Sequence, residues 1–394
     1  MSCRGRLLLL WNQTEEDIYE RWREGGPQPL SWSPERLAPD VGTVKEEMDA
    51  LIAALGEGGF DVSVVNAEDD LDRVLGAIRL NDPDAIFNLV EFFNDDATHE
   101  AYIAGLYELM GVAYTGSRPR CLATCMDKHR TKLILTAAGL PTARFFRCHA
   151  GAEIPADHGL RFPLIVKPSQ EDASGGIEPE SVVWDQAALE ERVHHILKEF
   201  EQPALIEEYI EGREIHAAVL GNDPPEVLPL FEMEFDDTEF NPEGEWRPQI
   251  ISFRAKWDPH SKAFYSMDAR VPPEDLDDEL AERIEDVALR AFRAMECRDY
   301  ARVDMRVDDD GQIFILEVNP NPDLVDGTAY MQCAVASGRT FSETLSAIAD
   351  MAIARGRHHH APAAIASTEA EAHPGAAPLP SDQLLREHVL REQA

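Results

Sequence analysis

The sequence predicts a mixed α/β fold: an open parallel α/β domain at the N-terminus, then an α+β C-terminal half. Three observations predict it. Strand-like and helix-like segments alternate over roughly residues 1–120, the pattern of a parallel sheet with crossover helices. From Thr142 onward the strands are rich in β-branched and aromatic residues, and crossover helices become fewer. The chain has 394 residues, too many for one small core, which suggests two to three domains or subdomains.

The elements follow in order. Arg6–Trp11 reads as a first strand: its apolar run is short, passes straight into Asn12-Gln13 and acids, and lacks the small-residue cleavage site of a signal peptide. Asn12 to Gly42, with four prolines and the tryptophans Trp22 and Trp32, reads as a long loop with one short helix; the tryptophans favour something packed. Val44–Gly56 is an amphipathic helix, Asp61–Val65 a strand, Asp69–Leu80 a helix and Ala85–Val90 a strand. Thr98–Met110 is helical, and Gly111–Thr115 starts the next strand. Asp127–Ala138 is a helix stopped by Gly139 and Pro141. Strands are expected at Phe162–Lys167, Ala204–Glu207, Arg213–Leu220, Glu226–Phe231 and Gln249–Ala255. Leu276–Met295 and Phe341–Ala354 are helices. Residues 355–380 have a linker composition, and 381–394 could form a short helix with one apolar stripe, equally a docking tail or a frayed end.

The net charge of −38 argues against nucleic acid or an anionic membrane as a partner, since both carry the same sign. A bound polyanion would need local cations, and only seven lysines exist. The six cysteines show no disulfide spacing; Cys121 and Cys125 are one helical turn apart, but no second pair completes a zinc set. Free thiols in a reducing cytoplasm are expected, and no apolar run approaches transmembrane length.

The chemistry concentrates in Tyr300–Pro322. Two short strands are expected around an Asp310-Gly311 turn, with Asp304 on the first and Glu317 and Asn319 on the second. Two residues apart, Glu317 and Asn319 share one strand face. Two carboxylates and an amide oxygen suit a hard divalent cation such as Mg²⁺, which commonly takes phosphates as further ligands. A polar sheet edge is the bland alternative; the apolar run Ile313–Leu316 argues for a buried strand, where a carboxylate needs a partner. Upstream, Lys167 ends an apolar strand before the small-residue loop Ser169–Gly176, a weak but suitable phosphate-binding signal. Glu207–Glu214 leaves a strand, turns at Gly212 and re-enters one, placing acids where nucleotide amino and hydroxyl groups could bind.

Taken together, these segments resemble the ATP-grasp superfamily, in its D-alanine–D-alanine ligase-like branch. The matching stretches are Tyr114–Ser117, Met126–Lys128 with Gly139–Pro141, Val166–Ser169, Glu207–Ile210 with Glu214, Ala255-Lys256, Arg302–Asp304 and Glu317–Asn319. Their order and spacing, from about Arg6 to Ala354, are more specific than any one motif. The resemblance implies an ATP-grasp fold behind an N-terminal pre-ATP-grasp domain: 1–120 for substrate, 121–212 as central subdomain and 213–354 as the metal-bearing subdomain. It implies that Lys128 and Lys167 contact ATP phosphates and that Ser174, Gly175 and Gly176 belong to the loop closing over the γ-phosphate. Glu207, Ile210 and Glu214 would line the adenine and ribose pocket, with backbone contacts from Glu208 and Tyr209. Lys256 would reach the phosphates from the facing segment, and Arg302 would stabilise the transferring phosphoryl group. Asp304, Glu317 and Asn319 would hold two Mg²⁺ ions, with Mn²⁺ as an alternative. A homodimer is carried over from the family.

The chain departs from the family pattern where substrates bind. The two adjacent serines of the closing loop are Ala173 and Ser174; the tyrosine after the facing lysine is Trp257. The segment after Asn319 reads Pro320-Asn-Pro-Asp-Leu324 instead of Thr-Ser-Pro-Gly-Met, with Thr328 in the place of a serine that binds the acceptor carboxylate. Glu15 or Glu16 falls near a family glutamate that holds a substrate amine. The expectation is therefore an ADP-forming ligase joining amino acids or peptides through an acylphosphate, with a product other than D-alanyl-D-alanine. An authentic D-alanine–D-alanine ligase is the nearest rival, and a nucleotide-binding module without turnover is the rival from another class.

Overall fold

The computed structural model describes residues 3–360, except 16–17, 25, 27, 40 and 237–247. The expected tail helix, most of the linker, Glu16 and much of the acidic stretch after Phe235 lie outside the described residues.

The N-terminal sheet is parallel, in the order β4-β1-β5, from β1 (Arg6–Trp11), β4 (Asp61–Asn66) and β5 (Ala85–Leu89). Strand alternation sends Leu7 and Leu9 into one apolar core and Leu8 and Leu10 into another, so β1 is covered on both faces. Helices α2 (Val44–Glu57), α3 (Leu71–Asn81) and α4 (Glu100–Met110) make the crossovers. A capping box starts α2: the Thr43 hydroxyl accepts from Glu46 N at 3.3 Å, and Thr43 N donates to the Glu46 carboxylate at 3.0 Å. Thr43→Ala should cost about 1 kcal/mol in urea unfolding, and a loss of only a few tenths would show the box to be idle.

The second sheet is antiparallel, β6-β9-β7-β8, from β6 (Phe145–Cys148), β7 (Leu164–Pro168), β8 (Val182–Val183) and β9 (Ala204–Glu208). Helices α5 (Pro119–Met126) and α6 (Lys128–Ala137) lead into it, and α7 (Gln186–Glu199) covers it. The third sheet runs β13-β12-β10-β14-β15, with β11 on the end of β10. It contains β10 (Arg213–Leu220), β11 (Glu226–Val227), β12 (Phe231–Phe235), β13 (Met267–Arg270), β14 (Tyr300–Val307) and β15 (Ile313–Asn319). A short helix α8 (Phe253–Trp257) precedes β13, the long α9 (Asp278–Ala294) covers one face of the sheet, and α10 (Ala329–Ala336) packs on the other. The last helix, α11 (Phe341–His360), sends Leu345, Ile348 and Ala352 into the core that holds Leu7, Leu9 and Tyr300.

Four expectations change. Gly111–Thr115 makes only a bridge, Ile86 to Tyr114, because Gly111 ends α4 and Pro119 already opens α5. Glu226–Phe231 is two strands, split where Pro229 offers no ladder N–H. Gln249–Ala255 is not a strand: Ser252 accepts a bond from Ala255 N at 3.2 Å and caps α8, overriding the β-branched Ile250-Ile251. The final helix continues to His360, into the stretch whose composition reads as linker. The Asn12–Gly42 stretch holds α1 (Ile18–Glu24) and the small hairpin of β2 (Pro29–Leu30) and β3 (Ser33–Leu37). It is packed, as its tryptophans suggested. Trp22 meets His260 edge-on at 4.9 Å, and the Trp32 indole donates to His260 O at 3.0 Å. Among the described residues no helix is long and apolar enough to cross a membrane.

Candidate active site

A cleft of about 640 Å³ opens between the second and third sheets. Every nucleotide, metal and catalytic candidate named from the sequence lines it, except Gly176. Gly176 sits behind the wall at φ +68°, where a Cβ would lie 2.6 Å from Pro168 and 2.7 Å from Phe200; it shapes the loop and faces no ligand space.

The hairpin of β14 and β15 supplies one wall. The antiparallel register pairs Asp304 with Glu317 and Arg302 with Asn319, and a bulge follows between Asp304 and Met305. Arg302 grips Asp304 with two bonds, Nε–Oδ1 at 2.7 Å and Nη2–Oδ2 at 2.8 Å. Asp304 therefore stays well below the usual carboxylate range: burial opposes its charge, but Arg302 and then His216 outweigh it. Glu317 is pushed up, first by burial and also by the charge of Asp304, with Lys128 opposing. Two facing carboxylates with one guanidinium between them leave negative charge in excess. The donors are all hard oxygens, and Asn319 adds its amide oxygen, which already accepts from Asn321 N at 2.9 Å. The set fits a Mg²⁺-type cation. Asn321 also links this face to the N-terminal α/β region: it accepts from the Tyr300 hydroxyl at 2.6 Å and donates to the buried Glu100 at 2.8 Å.

The cations stand opposite. Lys128, at the start of α6, donates to the Glu171 carbonyl of the loop after β7. Lys167, on β7, pairs with Glu207 at 2.7 Å. Glu207 also pairs with Lys132 at 2.6 Å, and both side chains of that second pair are almost wholly buried. Burial alone would raise the Glu207 pKa; Lys132 and Lys167 instead hold it down, to about 2. The carboxylate expected to face a nucleotide is thus spent largely on organising two lysines. Glu208 turns its side chain to Arg161 N at 2.9 Å, and the N–H groups of Glu208 and Tyr209 already donate to Arg144 O and Pro163 O. Those two N–H groups are therefore not left for a ligand.

Glu214, on β10, is buried between Arg306 at 2.7 Å and His216 at 3.2 Å. His216 stacks on Phe231 with the rings 5.2 Å apart, and its Nδ1 lies 3.9 Å from Asp304. Ile165, Leu205, Ile210 and Met233 add an apolar floor suited to a flat ring. Gly212, at φ +133°, passes so close to Val307 O that a Cβ would lie 2.1 Å away, which keeps β10 tight against β14.

The loop 169–177 is held down across the cleft. The Trp257 indole donates to Ala173 O at 3.1 Å, and Phe253 N donates to Ile177 O at 3.1 Å. Ala173 and Ser174 sit at φ 51° and 65°, a region that costs a β-carbon residue some strain. Lys256 lies over the Trp257 ring at 4.9 Å. Tyr19 donates to Trp257 O at 3.1 Å, so the long N-terminal stretch buttresses this segment. Trp257→Phe removes the indole N–H, together with part of the ring under Lys256, and should raise the KM for ATP severalfold with kcat little changed; an unchanged KM would sink the role of that bond.

At the far end, Asp323 and Glu91 open onto the cleft. The Thr328 hydroxyl lies 2.8 Å from Val325 O and 3.0 Å from Asp323 O, so its proton is engaged by backbone. Glu15 is exposed and absent from the cleft lining. Sequence reasoning missed Lys132, His216, Arg306 and Asn321. Lys132 is buried with Thr131 and Leu135 on α6, but nothing local in the sequence sets it apart from the other cations of that helix.

Residues 134–350 match the family model described as the D-ala D-ala ligase C-terminus. The chain is 33% identical to protein y4sG of Sinorhizobium fredii, named as uncharacterized, over 88% of this chain and 96% of that one. It is 32% identical to a D-alanine–D-alanine ligase of Desulforudis audaxviator, over 77% and 91%. The crystal structure of a Bacillus anthracis D-alanine–D-alanine ligase complexed with ATP superposes with a TM-score of 0.65 at 21% identity, covering 90% of this chain and 99% of that one. At that identity the likeness is one of fold.

Proposed function

The chain belongs to the ATP-grasp D-alanine–D-alanine ligase family, and from that premise we propose an ADP-forming carboxylate–amine ligase acting on amino acids or peptides other than two D-alanines. The carrying observation is the pairing of Asp304 with Glu317 on a cleft wall that faces Lys128, Lys167 and Lys256. A carboxylate oxygen of the first substrate attacks the γ-phosphorus of ATP and ADP leaves. An amine then attacks the acyl carbon of the acylphosphate, and phosphate leaves with the electron pair of the broken C–O bond.

The protein's part is placement and charge. Lys128 and Lys167 neutralise phosphate oxygens, and Lys256 with the 169–177 loop closes over them and excludes water. Arg302 stands where charge grows on the transferring group. Ile210 and the apolar floor take the adenine, and Glu214 accepts from the ribose. Asp304, Glu317 and Asn319 would hold Mg²⁺, which when bound supplies charge neutralisation for the phosphates. We read residues 1–120 as the substrate domain and 121–212 with 213–354 as the two halves of the grasp, each with its own sheet.

The acceptor end supports the departure from D-alanine. Asp323 brings a carboxylate where an acceptor carboxylate would sit, and Thr328 does not offer its proton. Asp323→Gly should raise turnover with D-alanine roughly tenfold, equivalent to about 1.4 kcal/mol, in an ADP-release assay; no gain would remove Asp323 from specificity. The reading itself is tested by mass spectrometry of products formed from ATP and a pool of amino acids and dipeptides. Tight ATP binding without amine-dependent ADP release would sink the enzyme. D-alanyl-D-alanine as the sole product would sink the substrate assignment.

A further inference from the structure

Outside the cleft, three thiols from two distant parts of the chain converge. Cys121 and Cys125 lie one turn apart on α5, and Cys297 follows the C-terminal end of α9, just before β14. The Cys121 and Cys125 sulfurs are 4.0 Å apart, Cys121 and Cys297 3.6 Å, and all three lie within 4.8 Å of one another. A metal bound at about 2.3 Å to each sulfur needs sulfurs about 3.8 Å apart in tetrahedral geometry and about 4.0 Å in a trigonal plane. The observed spacings bracket those values.

We propose that Cys121, Cys125 and Cys297 form a binding site for a soft, thiol-seeking d¹⁰ cation, Zn²⁺ in the first instance. Thiolates select such ions over Mg²⁺. Cys121 and Cys125 are almost wholly buried and Cys297 is half-buried, which leaves an entry on the Cys297 side. Oxygen is at hand for a fourth ligand: Ser117 hydrogen-bonds Cys121, and its hydroxyl oxygen accepts from Arg298 N at 3.2 Å. Each ligating thiol releases its proton to solvent, so three thiols and one Zn²⁺ give a complex of net charge −1 and up to three free protons. Binding therefore tightens as pH rises. Bonding in this way would staple α5 to the turn that leads into β14. Cys125 also borders a small cavity that Glu317 and Asn319 line from the other side, so the staple would stiffen the back of the carboxylate wall.

The test uses the full chain, reduced and stripped with a chelator, then titrated with Cd²⁺ and separately with Zn²⁺. Cadmium–thiolate charge-transfer absorption should saturate at one equivalent, disappear in Cys121→Ser and Cys297→Ser, and persist in Cys3→Ser and Cys148→Ser. The absorption reports sulfur ligands alone, so ions on the carboxylate wall or on the histidines of 358–360 do not register. Zn²⁺ should raise the melting temperature of the unaltered chain by several degrees, more at pH 8 than at pH 6. It should also shield the half-buried Cys297 from N-ethylmaleimide, a readout that needs no variant. Absence of the thiolate band, an undiminished band in both variants, or equal alkylation of Cys297 with and without Zn²⁺ would overturn the site. None of these outcomes depends on ligase activity.

Discussion

Glu317→Gln should lower ADP release by at least about 10²–10³-fold, the scale of losing one preorganised electrostatic contact to a developing charge. The substitution keeps shape and removes one charge. Glu317 lies opposite Asp304 in the β14–β15 register, where burial and that neighbouring carboxylate both disfavour its ionised form. Despite Lys128 and Arg302, its charge is on balance a liability to the fold, one that a bound cation would offset. The Gln variant should be as stable as the unaltered chain, or more so, in urea without added metal. Addition of Mg²⁺ should stabilise the unaltered chain with ATP present and the variant much less. Turnover within threefold of the original would refute the metal assignment. A collapse of stability would instead make Glu317 a structural residue.

The second large effect lies behind the lysines. Glu207→Gln leaves Lys132 buried with no carboxylate, at 1% side-chain exposure, and should cost about 3–5 kcal/mol in urea unfolding. Pairing it with Lys132→Met should recover much of the loss, because an apolar side chain there has no charge to compensate. Acid unfolding gives an independent sign. The Glu207 carboxyl is depressed to about 2, so its stabilisation is full above the ordinary carboxylate value of about 4.3 and is lost as pH falls from there toward 2. The Gln variant should lack that segment of the pH–stability curve. A cost below about 1 kcal/mol would mean that Lys167 and Lys132 need no common partner.

Much of the candidate site was legible because its motifs are local. Glu317 and Asn319 share a face by strand period alone, and the Asp310-Gly311 turn brings Asp304 back to them. Lys167 and the loop after it form a strand end, readable without the rest of the chain. The misreadings have physical causes too. Ile250-Ile251 look like strand until Ser252 finds the N–H of Ala255. Gly176 looks like part of a phosphate cradle until Pro168 and Phe200 fill the space beside it. Lys132 looks like one more cation of an amphipathic helix, since the fact that it faces Glu207 depends on how α6 is laid across β9.

The order of elements, the family resemblance and the carboxylate hairpin were readable along the chain, since periodicity, turns and caps act over a few residues. Which distant groups meet depends on the fold. Pairing Glu207 with Lys132, Trp257 with Ala173, and Cys297 with Cys121 requires closing loops of about 75 to some 180 residues. At the longer of these separations no local preference reports the outcome; packing and desolvation settle it, because a buried charge or donor must find its partner wherever the fold brings one within about 3 Å.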